Sequence, residues 1–111
     1  MALDLAFSDK QLRQICEAEA LARRELGERV AAALKHRLAD LRAATSVKDL
    51  IAGNPRELGD SRAGDMAVDL VDGHTMIFRS NHAALPVLAT NLVDWSRVTR
   101  IQIIKIGSEY A

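Results

Sequence analysis

The chain has 111 residues, with 15 basic and 15 acidic side chains and a formal net charge of zero. It therefore lacks the basic excess by which phosphate neutralisation usually announces a nucleic-acid binder. Nearly half of the residues, 49%, are hydrophobic, enough for a single domain over 1–111 to bury a core without staples. One cysteine, Cys16, excludes an internal disulfide and favours a reducing compartment. No apolar run approaches the ~20 residues that span a bilayer. The first seven residues carry Asp4 inside their apolar stretch and no basic start, so the expectation is a cytoplasmic protein with no membrane partner.

Leu3, Leu5 and Phe7 alternate with Ala2, Asp4 and Ala6, the period of a half-buried strand over about 2–7. Ser8, with Gln11 three residues on, has the pattern of a capping box, and Phe7 with Leu12 that of a hydrophobic staple. A helix is expected from about Asp9 to Leu26. Gly27 punctuates, and Val30, Ala31, Leu34, Leu38 and Leu41 form the apolar stripe of a second helix over 28–44. The two either fold into an antiparallel hairpin or continue as one bent helix, since glycine inside a helix costs only about 1 kcal/mol. Ser46 offers a further cap, and Gly53-Asn54-Pro55 ends that turn. Residues 55–64 read as a polar loop.

Asp72-Gly73 between two apolar runs signals a hairpin, because a type I′ turn needs positive φ at both central residues. It would join strands over 65–71 and 74–79. Residues 80–97 make a long connection containing Leu85, Pro86, Val87, Leu88 and Leu92, which either packs on the sheet or forms a partner surface. The last strand, 98–106, has Ile103 and Ile104 adjacent and belongs inside the sheet. The order strand, helix, helix, strand, strand, strand describes an α+β fold, with helices on one face of a small, largely antiparallel sheet.

That order, with Leu41-Arg-Ala-Ala44, Val47-Lys-Asp-Leu50, Leu58-Gly-Asp60, Arg62 to Gly64, Asp69-Leu70, Met76-Ile-Phe78, Pro86, Asp94-Trp95, Val98-Thr99 and Ile103 to Ile106, resembles the RelE/HigB-like toxins of type II toxin–antitoxin modules. The likeness covers about 38–106 and points to the branch called plasmid-maintenance killer proteins. It implies a compact microbial RNase-type fold and metal-independent, cofactor-free cleavage of mRNA on the ribosome. It also implies a neighbouring antitoxin, expected to be of helix-turn-helix type, that silences the toxin and carries the complex to operator DNA. In that chemistry basic side chains hold the scissile phosphate, and a Tyr, His, Glu or Asp moves the protons.

The residues that would carry it are Arg62 on the phosphate, His74 as acid or base, and Glu109 and Tyr110 in proton transfer. Arg56 and Arg79 would contact RNA. Each has a plainer reading: a loop charge for Arg62 and Arg56, a strand-end charge for Arg79, a turn-flanking filler for His74, a frayed terminus for the tail. His74-Thr75 stands where many relatives have an aromatic residue and Arg, and Ser108-Glu109-Tyr110 where many have Asp-Tyr-His. The alternative is a noncatalytic or ParE-like toxin on the same scaffold that inhibits a protein target such as DNA gyrase. Cys16 reads as a packed thiol, and His36 and His82 lack metal-site spacing. Trp95 reads as a packing anchor.

Overall fold

The first strand, β1 (Asp4–Phe7), and the first helix, α1 (Lys10–Glu17), meet one residue later than the capping-box pattern predicts. The structure, a computed structural model, describes residues 3–58 and 65–108. Within it the Ser8 backbone N–H donates to the Ile103 carbonyl at 3.0 Å, so Ser8 still belongs to strand pairing. The cap falls to Asp9, whose carboxylate accepts the Leu12 N–H at 2.8 Å. Phe7 is covered by the Arg13 guanidinium, 5.6 Å from the ring centroid.

The single helix expected over 9–26 is two. Ala18 adopts an extended conformation (φ −120°, ψ 105°) between α1 and α2 (Glu19–Leu26). A straight helix would put Glu19 in the apolar stripe that joins Ile15 to Ala22. The break instead sets it in the first turn of α2, where an anion favours the helix dipole. There it accepts Lys35 Nζ at 2.6 Å from α3 (Glu28–Ala43). Gly27 alone joins α2 to α3, at a φ of +87° that L side chains rarely adopt. Glu19, eight residues before it, thus meets Lys35, eight after it: the pair folds back as a hairpin.

Five strands follow the order β1-β5-β4-β3-β2, with β2 at Arg56–Glu57, β3 at Asp65–Asp69, β4 at Thr75–Ser80 and β5 at Arg100–Gly107. Three pairings are antiparallel, while β1 runs parallel to β5. β2 corrects the expectation of loop throughout 55–64; two residues are too few to show a period. The Asp72-Gly73 turn has φ of +55° and +77°, as a type I′ turn requires, and Val71 accepts the His74 N–H at 3.1 Å.

The adjacent isoleucines of β5 are explained by a bulge. Ile77 pairs with Lys105 but Phe78 with Ile103, so Ile104 is the extra residue. Ile101 and Ile103 point into the core before it, and Ile106, of opposite parity, packs on the core after it. The helices lie against one sheet face. Leu34, Leu38 and Leu41 of α3, Ile15 of α1 and Ala22 of α2 form one buried cluster with Met66, Val68, Met76, Phe78, Ile101 and Ile103. The connection after β4 both packs and exposes: Val93 and Val98 are buried in that cluster, while Val87, Leu88 and Leu92 are exposed.

Candidate nucleic-acid interface

The face of the sheet turned from the helices is polar with a small apolar floor. Ala67, Thr75 and Ile77 are buried yet stand outside the helix-side cluster. Cross-strand partners share a face, so Arg56, Ala67, Ile77 and Lys105 form one row across four strands. Asp69, Thr75 and Gly107 form the row beside it, and Asp65, Arg79 and Gln102 the row on the other side.

Each arginine here is met by a carboxylate. Arg56 donates from Nη1 to Asp69 Oδ1 at 2.9 Å and to the Asn54 carbonyl at 3.2 Å. Arg79 Nε lies 3.3 Å from Asp65 Oδ1. At the far edge, Arg100 Nε lies 3.8 Å from Asp4 Oδ2. The neutral charge of the whole chain is thus repeated locally. Cations point from this face, but each of these three is already paired.

Arg56 and His74 come together around an open recess of about 450 Å³, walled also by Asn54, Asp69 and Thr75 and by the hairpin turn. His74 sits just ahead of β4 with Nδ1 3.3 Å from the Asp72 carbonyl oxygen. Arg29 of α3 clamps the turn from outside through Asp72, with contacts of 2.9 and 3.2 Å. That guanidinium holds the Asp72 carboxyl below the usual carboxylate range. Thr75 is 1% exposed, and its Oγ1 has no hydrogen-bond partner among the described residues. Thr75 takes the row position at which the resemblance expects arginine.

Arg79 shares the face but not the recess. Four residues along β4 from Thr75, it is about 13 Å away at the rise of a strand. Arg62, Glu109 and Tyr110 lie outside the described residues. Asp65, Asp69 and Lys105 were not singled out from sequence as members of this face. The signal was present for the first two: Asp65, Ala67 and Asp69 alternate with Met66 and Val68, so a buried Met/Val face implies a carboxylate face behind it. Lys105 was hidden, because a bulge must be known before its row can be assigned.

The remaining singled-out residues have structural settings. Cys16 is half-buried, and burial pushes its thiol up to about 11, against an opposing pull from Arg42. His82 Nε2 accepts the backbone N–H groups of Thr99 at 3.0 Å and Arg100 at 3.3 Å, tying the long connection to the start of β5. Trp95 packs on the core edge and donates from its indole to the Glu57 carboxylate on β2. No protein-family profile, curated protein or solved structure matches this chain.

Proposed function

We propose that this chain is a RelE/HigB-like toxin of a type II toxin–antitoxin module. It acts in the cytoplasm as a ribosome-dependent mRNA endoribonuclease and is neutralised by a cognate antitoxin. The observation that carries the reading is the sheet face opposite the described helices: Arg56 and Lys105 project from one of its rows and Arg79 from the next. That side is where a strand of RNA can lie along the sheet.

In this reading Arg56 and Arg79 hold phosphates, and their carboxylate partners keep them extended until RNA arrives. The exchange costs little. An exposed ion pair contributes about 0–1 kcal/mol, and a hydrogen bond to a charged group about 1.5–3 kcal/mol. A 2′-hydroxyl then attacks phosphorus; the P–O5′ bond breaks as the new O2′–P bond forms. One group accepts the 2′ proton and another donates to the leaving 5′-oxygen. His74 at the recess, and Glu109 and Tyr110 by resemblance, are the proton-transfer groups, with Arg62 offsetting charge on the phosphate.

The second reading, a ParE-like or noncatalytic toxin that grips a protein such as DNA gyrase, draws on one specific observation. Asp65 and Asp69 neutralise the arginines, and Thr75 supplies no cation. Induced expression in a bacterial host separates the two. Growth arrest with fragmented transcripts and normal plasmid supercoiling supports the nuclease. Arrest with intact transcripts and impaired supercoiling supports the second reading.

A further inference from the structure

The recess beside the hairpin turn offers a ligand a fixed order of hydrogen-bonding groups. Arg56 donates from Nη1 to Asp69 Oδ1 at 2.9 Å and to the Asn54 carbonyl at 3.2 Å. A guanidinium has five donors, and those on Nη2 and Nε meet no acceptor among the described residues. Asp69 Oδ2 takes no donor among them either. Along the pair the order is therefore donor, acceptor, acceptor: the guanidinium, then Oδ1, then Oδ2. Both groups can be reached, since the Arg56 and Asp69 side chains are 32% and 46% exposed. The recess they border, about 450 Å³, falls in the usual range for small-molecule sites, roughly 300–1,000 Å³. Its other polar walls leave that order unchanged. Asp72 is turned to Arg29, at 2.9 and 3.2 Å. The Asn54 amide and the buried Thr75 hydroxyl each donate or accept and select no sign of charge.

Proteins read single-stranded RNA on the Watson–Crick edges of its unstacked bases. Guanine presents O6, N1–H and the N2 amino group there: acceptor, donor, donor, the complement of Arg56, Oδ1 and Oδ2. The other bases match this order at two positions at most. Adenine and cytosine offer one ring lone pair beside one amino group, and uracil sets a second carbonyl against the carboxylate. We infer that the recess seats a guanine base of an RNA strand, with N1–H and the N2 amino group on Asp69 and O6 on Arg56. A carboxylate oxygen has a second lone pair, so Asp69 Oδ1 keeps Arg56 while it accepts N1–H. That the base belongs to RNA rests on the nuclease reading. His74 is a wall of the same recess, so in that reading the cut falls beside the bound guanine.

Nucleoside monophosphates added to the full chain, without ribosomes, test the base site directly. GMP should bind saturably by calorimetry and shift the Asp69 and Thr75 amides in NMR spectra. IMP keeps O6 and N1–H but lacks the N2 amino group, and it should bind about tenfold more weakly or worse, as should AMP, CMP and UMP. Asp69→Asn, which puts an N–H where an acceptor stood, should bind GMP and IMP alike. The ion pair it removes is substantially exposed, so the fold should survive, and the wild-type ratio of GMP to IMP affinity decides the matter without it. Equal affinity for GMP and IMP, no binding of GMP, or a guanine preference that persists in Asp69→Asn overturns the inference. The two readings fail separately. Transcript cuts spread evenly over the four bases overturn the guanine site and leave the nuclease standing. A GMP preference with every transcript intact upholds the site and removes the nuclease.

Discussion

Thr75 buries a hydroxyl that meets no partner among the described residues, at a row position flanked by Asp69 and Gly107. Such a group bears a desolvation cost that a methyl of the same shape does not. Thr75→Val should therefore be neutral or stabilising by up to about 1 kcal/mol, read from the urea midpoint at unchanged slope. Gly53 is the opposite case. At φ +84° its carbonyl takes the Asp69 N–H at 2.6 Å, and a Cβ would lie 3.0 Å from the Asp69 carbonyl oxygen and 3.1 Å from Arg37 Cδ. Gly53→Ala should cost about 1–3 kcal/mol in the same measurement, since the backbone angle strains an L residue and its Cβ would crowd both neighbours. Asp94 sets a pH dependence. Hydrogen bonds from Ser96, then Arg97, hold its carboxyl below the usual range. A depressed folded-state value means that its contribution is complete above the unfolded-state value and fades as the pH falls through the folded one. The stability gap between wild type and Asp94→Asn should thus be open near neutral pH and close in strong acid; a gap that persists there contradicts it.

Helix α1 begins where Asp9, rather than Ser8, caps it, and Asp9→Ala should lower stability by about 1 kcal/mol while Ser8→Ala leaves the cap intact. Amide exchange over residues 10–14 checks this at the helix end. Much of the element order was legible because hydrophobic period is a local property. Leu3/Leu5/Phe7 and Met66/Val68 declare strands, Val30 to Leu41 declares a helix, and Asp72-Gly73 declares its turn through the φ it permits. The elements that escaped depend on contacts distant in sequence. The break at Ala18, an excellent helix former, answers to Lys35 on another helix. The two-residue β2 exists through its ladder to β3 and carries Glu57 to Trp95. Parallel pairing of β1 with β5 is settled by which strand edge is vacant. The site was legible in part for the same reason: Arg56, His74 and Arg79 are visible as charges, but their carboxylate partners emerge only once strands are paired.

At the scale of the molecule, a two-layer α+β architecture sets all the described helices on one face of the sheet, and the core marks that face. Phe78 is fully buried on the helix side and Phe78→Ala should cost about 3–5 kcal/mol, whereas Arg79 next to it on the opposite face should tolerate alanine with little loss of stability. That contrast separates the face that holds the fold together from the face on which the proposed RNA contacts lie. The most direct measurement of the functional claim follows a defined transcript on translating ribosomes, with the purified full chain added and 5′ ends mapped by primer extension. The expected result is cleavage by the wild type, reduced on the order of 10²-fold in a folded Arg56→Ala, Arg79→Ala double variant. A transcript that stays intact with wild-type protein bound to the ribosomes, or is cut equally by both proteins, contradicts it.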